Sequence, residues 1–351
     1  MKRLIVLSVV ALVLATGLGA QELSGLGRDF EIVFERVGAA ALPAITQSAI
    51  WGQYTGVATF APRAGFFLTL SAGALFTDGL LGFVDEEDTF TVLNVPNLFQ
   101  AMLDNAPTDR AADAYEWLKT AFPVPVSRIG MGFRLPGDVE AMIAFGGVPG
   151  FLVGPVYSRI PALDGFELGM VHVGTKIRRA VLADAGPFPA LSLGLGYSYT
   201  GLDLGYDLAT ISPGGGEYGT IEIAVGDLNV KGRMSLRSRV HAFGLDLHAS
   251  KAIGFFVPYL GLSPYYHLAS FGGSVGPGDE FDAYVNNPET DNERDIEYTG
   301  AAPESAWVEN DLSLVLFGGF DMFFGRFVFQ VNGSWGIAKG IPGVALNVRW
   351  Q

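Results

Sequence analysis

Alternation dominates the second half of the chain. In "FPALSLGLGYSYTG" (188–201), Leu191, Leu193, Leu195, Tyr197 and Tyr199 share one parity, while Ser192, Gly194, Gly196, Ser198 and Thr200 share the other. A strand sends successive side chains to opposite faces, so one face is apolar with aromatics at one end and the other is small and polar. The pattern recurs. "GDVEAMIAFGG" sets Val139, Ala141, Ile143 and Phe145 against Asp138, Glu140 and Met142. "NDLSLVLFGGFDMF" sets Leu312, Leu314, Leu316, Phe320 and Met322 against Ser313, Gly319 and Asp321. "GRFVFQVNGSWG" sets Phe327, Phe329, Val331 and Trp335 against Arg326, Gln330, Asn332 and Ser334, and "GVALNVRWQ" sets Val344, Leu346, Val348 and Trp350 against Ala345, Asn347 and Arg349. A polar face this rich in Gly and Ser, with isolated Asp, Arg and Asn, resembles the inside of a barrel, and aromatics at strand ends suit interfacial girdles.

The alternation predicts ten strands, near 64–76, 128–135, 137–148, 165–178, 188–205, 236–251, 254–271, 311–323, 325–336 and 341–350. With the first strand starting on the periplasmic side, the connections near 136, 184, 252 and 324 are short, and most of the others, 77–127, 149–164, 206–235, 272–310 and 337–340, are long. That asymmetry is characteristic of outer-membrane barrels. Two further stretches, 54–60 and 219–230, also alternate. The second predicts a hairpin above the membrane, and together they leave a count of ten to fourteen strands. The fold class is therefore all-β, an antiparallel transmembrane barrel.

Composition agrees. The hydrophobic fraction is 49% with only 17% charged residues, and mean hydropathy is +0.33. Beyond residue 20 no apolar run reaches the length of a membrane helix. A closed barrel accommodates such hydrophobicity without a continuous apolar run. The opening "MKRLIVLSVVALVLATGLGAQE" predicts a signal peptide over 1–20, followed by a helical or plug segment over 21–62 and the barrel over 63–351. Removing Lys2 and Arg3 from 22 basic residues leaves 20 against 36 acidic ones, a net charge near −16. This argues against nucleic acid as a partner. Localisation to the cell outer membrane follows, with outer-membrane lipid, lipopolysaccharide and the barrel assembly machinery as expected partners. For the machinery, Trp350 is the terminal aromatic it would read.

In the N-terminal segment, Phe30, Val33, Phe34, Val37 and Ala41 recur at helical spacing, and Pro43 is expected to end the helix. Two placements are open, a helix at the periplasmic mouth or a plug in the lumen. The 77–127 connection contains a helical stretch with Ala111, Ala112, Tyr115 and Leu118 on one face and Thr108 as its cap.

Candidate chemistry is sparse. In "VKGRMSLRSRVH", Lys231, Arg233, Arg237, Arg239 and His241 share one parity and predict a basic row on one strand face. Arginine pairs with carboxylate or phosphate bidentately, so Arg233, Arg237, Arg239 and His241 are candidate ligand residues for a fatty-acid head group or a lipopolysaccharide phosphate. Counting on by twos reaches Phe243, Leu245 and Leu247, which places the row outside, above the bilayer. A solvated row balancing the acidic loops is the plainer reading. On strand 254–271, Tyr259, Tyr265 and His267 should line the lumen and suit an amphipathic solute, although packing in a narrow barrel accounts for them equally. Asp85, Glu86, Glu87 and Asp88 match no calcium-loop spacing. Asp246 and His248 share a face two residues apart, but no nucleophile motif accompanies them, and no metal, nucleotide or haem motif is present. No cofactor and no enzymatic activity are expected.

The Gly-rich entry "WGQYTGVATFAPRAGFFLTLSAGALFTDG", the acidic "DEEDTF", "GFELGMVHVGTKIRR" and "PFPALSLGLGYSYTGLDL" resemble the outer-membrane barrels grouped around the long-chain fatty-acid transporters of the FadL type. The resemblance implies an N-terminal hatch inside a fourteen-stranded barrel and passage of hydrophobic molecules. The chain departs from it in having ten evident strands and no Asn-Pro-Ala box. The function expected is passive uptake of a hydrophobic or amphipathic, fatty-acid-like molecule. The alternative is a general porin or a structural barrel with binding loops.

Overall fold

The computed structural model describes residues 24–50, 58, 65–77, 79, 120, 122–147, 166–207, 219–223, 226–231, 233–275, 280–286, 296–301 and 304–351. Helix α1 (Ser24–Ile50) precedes β1 (Gly65–Thr77), β2 (Phe122–Leu135), β3 (Val139–Gly146), β4 (Phe166–Leu182), β5 (Ala190–Asp207), β6 (Gly219–Ile223), β7 (Gly226–Lys231), β8 (Arg233–Ser250), β9 (Phe256–Val275), β10 (Glu280–Asn286), β11 (Ile296–Ala301), β12 (Glu304–Phe324), β13 (Phe327–Gly336) and β14 (Ile341–Trp350). Ten strands close a barrel in the order β1-β14-β13-β12-β9-β8-β5-β4-β3-β2, and the β1–β2 pairing completes the ring. The count is the lower bound of the sequence range and not the fourteen that the resemblance implied. The signal segment, the helical stretch around Ala111, the acidic cluster at Asp85 and the alternating stretch 54–60, Ala58 excepted, lie outside the described residues.

The parity read from sequence is the parity of the wall. Leu193, Leu195, Phe243, Leu245, Leu247, Leu260, Phe329 and Leu346 are exposed, whereas Ser192, Ser198, Asp246, Ser263, Gln330, Asn332 and Asn347 are buried inside. An exposed apolar belt around a polar interior inverts the usual globular arrangement and requires lipid as the outer solvent. Phe66, Phe133, Phe188, Phe255, Phe324, Phe327 and Trp350 ring one end. That end carries the short turns, where Gly325 adopts φ 62° between the paired Phe324 and Phe327. Glycine relieves the steric cost of this left-handed conformation. Both barrel termini lie at the same end, so we call it the inner end. The strands run well past the belt at the outer end. There β6, β7, β10 and β11 form a separate four-stranded sheet, which includes the hairpin expected over 219–230.

Helix α1 lies in the lumen and not at the inner mouth. It touches β1, β2, β4, β5, β8, β9 and β12, strands from all round the ring. From Ala41 to Ile50 every residue except Pro43 is buried. The helix also passes through Pro43, against the expected stop. Proline costs about 3 kcal/mol in a helix interior. Enclosure offsets that cost, and the Thr46 hydroxyl donates to the Pro43 carbonyl at 2.8 Å. Direction follows from neighbours. Phe34 sits against Gly273 near the outer end of β9, and Ile50 lies beside Gly244 at mid-height of β8. Farther along, the Ala58 amide donates to Ser250 Oγ at the inner end. The helix therefore points its N-terminus outward and its C-terminus inward.

Candidate functional site

The lumen has two storeys. The outer one is a cleft between α1 and the wall, lined by Leu42, Pro43, Thr46 and Gln47 of the helix, by Tyr265 and His267 of β9, by Glu309, Ser313 and Leu314 of β12, and by Gly336, Ala338, Lys339 and Ile341. Its lining is amphipathic. Gln47 Nε2 donates to Ser334 Oγ at 3.4 Å and to the Ile341 carbonyl at 3.2 Å, tying helix to wall. His267 is 3% exposed, its ring tilted against Tyr265 at 5.9 Å between centroids. Neither of its ring nitrogens has a hydrogen-bond partner among the described residues. A buried imidazole with both nitrogens unmatched is costly, because each polar group has lost water without replacement.

The inner storey is ionic. Glu140 on β3 accepts from Arg349 Nη2 at 2.6 Å and from Arg178 Nη2 at 3.2 Å, with Arg134 at 3.8 Å. Lys176 pairs with Asp246, and Ser263 Oγ donates to Asp246 at 2.7 Å. Higher up, Arg128 donates to the Ser48 carbonyl. This satisfies one of the carbonyls that a helix C-terminus leaves unpaired and sets a cation at the negative end of the helix dipole. Arg128, Arg134, Lys176, Arg178 and Arg349 stand against Glu140, Asp246 and Asp321, so this storey carries an excess of positive charge inside a protein of net charge −14. Sequence reading missed it, because these residues come from six strands and only ring closure gathers them.

The candidate residues fall into two groups on opposite faces of the wall. Tyr259, Tyr265 and His267 point into the lumen, as their parity required. Tyr259 is held in place, since its hydroxyl donates to the Val331 carbonyl at 3.3 Å and accepts from Asn332 at 2.8 Å. Arg237, Arg239 and His241 point outward. The row expected from Lys231 onward is broken. Lys231 ends β7 of the separate sheet, paired with Asp282, while Arg233 begins β8 of the barrel. Lys231 and Arg233 thus belong to different sheets, which interrupts the parity that a single strand would have kept. Asp246 and His248 are likewise engaged elsewhere, Asp246 with Lys176 and His248 Nδ1 facing Arg178 Nη1 at 3.2 Å.

The chain matches no protein-family model and no curated protein in sequence. Solved structures similar to it in fold are outer-membrane barrels. They include the outer membrane protease OmpT from Escherichia coli, at 12% identity over 83% of this chain and 98% of that one, with a TM-score of 0.38. The translocator domain of the autotransporter NalP from Neisseria meningitidis shows 11% identity over 94% and 98%, TM-score 0.35. The toluene transporter TodX from Pseudomonas putida shows 8% identity over 89% and 92%, TM-score 0.22. At these values the likeness is one of barrel architecture alone. It does correct one expectation. A protease stands among the similar structures, so the expectation of no enzymatic activity, which rested on the lack of a nucleophile motif beside Asp246 and His248, is withdrawn.

Proposed function

We propose that the protein is an outer-membrane barrel, exported by its N-terminal signal, that takes up an amphipathic small molecule with a carboxylate head and an apolar tail, using α1 as the plug. One observation carries this reading: the buried, unmatched His267 beside Tyr265 in an amphipathic cleft between plug and wall. A ligand head group would supply the hydrogen bonds the imidazole lacks, and Leu42, Leu314 and Ile341 would receive the tail. The excess of cations beneath the plug then favours inward movement of an anion. The hatch that the fatty-acid-transporter resemblance implies agrees with a lumenal N-terminal helix. A general porin would need an open lumen, and here α1 and the ionic storey fill it.

The test is uptake of radiolabelled oleate by cells lacking their own fatty-acid channel. The protein has no cysteine, so Phe34→Cys with Gly273→Cys gives a plug that can be locked. A Cβ at Gly273 would lie 2.8 Å from Phe34 Cβ, and about 1 Å of opening suits a disulfide. Uptake should proceed when the pair is reduced, stop when it is oxidised, and fall roughly tenfold in His267→Ala. Uptake equal to that of cells without the protein would overturn the reading.

A further inference from the structure

On the outer face of the wall, β5, β8 and β9 build a surface that the uptake reading does not use. The register is explicit. Arg239 lies opposite Gly201 on β5 and Ser270 on β9, and Arg237 lies opposite Asp203 and Gly272. All four positions share the outward parity. The cross-strand neighbours of Arg239 are thus a glycine and a serine, neither of them charged, and the Tyr199 hydroxyl and Val171 lie over Gly201. Arg237 is paired with Asp203 at 3.5 Å, both about three-quarters exposed, whereas Arg239 has no ion-pair partner among the described residues. One step inward along β8, His241 lies between Tyr199 and Leu268. The next step, Phe243, lies between Tyr197 and Tyr266. Tyr197 Oη is 2.9 Å from His241 Nδ1, and the Tyr197 and Phe243 rings meet at 5.0 Å. Leu245 and Leu247 continue the exposed belt below them.

The height of this surface is set by the strand. A tilted strand crosses the apolar layer in about nine to eleven residues. Counting outward from Ser250, the inner end of β8, brings that boundary to Val240. Arg239 and Arg237 therefore stand just above the acyl layer, over a girdle of aromatic rings, on a chain whose overall charge is −14. In that position the group to be met is an anion attached to a hydrocarbon chain running down the wall.

We propose that Arg237 and Arg239 form a binding site for the phosphates of lipid A in the outer leaflet, with Tyr197, Tyr199, Phe243 and Tyr266 receiving its acyl chains. Guanidinium matches phosphate bidentately, and Asp203 competes with the lipid for Arg237. Arg239, whose cross-strand neighbours are uncharged, is the principal contact.

The test uses the full-length protein in detergent and native mass spectrometry with three probes: diphosphoryl lipid A, its dephosphorylated form, and phosphatidylglycerol. Diphosphoryl lipid A should bind most tightly. The Arg237→Gln, Arg239→Gln pair should lose about tenfold in its affinity, while Arg326→Gln, an exposed arginine in the β12–β13 turn, should not. Asp203→Asn should bind more tightly than the native chain, a gain that simple loss of structure cannot produce. Equal binding of the phosphorylated and dephosphorylated forms, equal binding of phosphatidylglycerol, or no difference between the paired variant and native protein would each overturn the site. None of these outcomes depends on oleate uptake, so the two readings fail separately.

Discussion

The guanidinium of Arg349 lies over the ring of Phe67, 3.8 Å from its centroid, where β14 meets β1. The same arginine donates to Glu140 on β3, reaching past β1 and β2 on the lumenal side of the wall. The seam that closes the ring is therefore fastened from inside by a cation held between an aromatic face and a carboxylate. Phe67 is fully buried because Gly132 on β2 makes room for it. A Cβ there would come within 2.1 Å of Phe67 Cζ.

We expect Gly132→Ala to lower the temperature at which the barrel loses its heat-modifiable gel mobility, by overpacking worth about 1–3 kcal/mol. Phe67→Leu alone should also destabilise. The two together should cost less than their sum, since they share one contact. Strict additivity would show that the ring does not rest on the glycine.

Glu140→Gln keeps the shape of the side chain and removes the charge that faces Arg134, Arg178 and Arg349. Breaking a buried pair from one side costs about 3–5 kcal/mol. Adding Arg349→Met to Glu140→Gln should restore part of the loss. Thermal midpoints of the three variants by gel mobility decide it, and an unchanged midpoint for Glu140→Gln would remove the network from the stability account.

Two inner turns are joined at Asp184. Its carboxylate accepts from Lys251 Nζ and, at 2.8 Å, from the Ala252 amide, and Lys251 also donates to the Gly186 carbonyl at 2.6 Å. The hydrogen bond from Lys251, then that from the Ala252 amide, hold the Asp184 carboxyl below the usual carboxylate range. A depressed folded-state pKa contributes stability that is present above the unfolded pKa, near 3.8, and is lost as pH falls through the lower folded value. Hydrogen exchange across residues 183–189 should therefore be faster in Asp184→Asn than in native protein at neutral pH. The two should converge in acid. A difference that persists at low pH would assign the effect to something other than this charge.

The direction of α1 makes a labelling prediction. Arg28 on the helix is exposed, and Arg326 lies in an inner turn. With no native cysteine, Arg28→Cys should react with an impermeant maleimide on intact cells. Arg326→Cys should react only after the outer membrane is broken. The reverse pattern would invert the barrel in the membrane.

The wall was legible in the sequence because its physics is local. A strand with lipid on one side and a lumen on the other must alternate, and Leu193–Leu195 against Ser192–Gly194 states that within a few residues. Strand β14 was placed to the residue. Strands β9 and β12 were placed too short at their outer ends, because alternation of apolar and polar residues fades once both faces meet water. Pro43 misled, since its local cost is fixed while the enclosure that overrides it depends on the whole ring. The ionic storey was invisible for a related reason: Glu140 and Arg349 are far apart in sequence and meet only because ring closure leaves just β1 and β2 between β14 and β3. Tyr265 and His267 were legible as lumenal, but their facing Thr46 and Gln47 was not, because nothing in the sequence sets the height of the helix.

Helix α1 occupies the axis of a ring whose closing strand pair, β1 and β14, joins the segment after the helix to the end of the chain. Entry from the inner side, N-terminus first, would have to pass the layer of Glu140, Arg178 and Arg349, which already fills that end. The ring must therefore close around the helix. In this arrangement α1 serves as a mandrel. It is a rod about 10–12 Å across that the ten-stranded wall encircles.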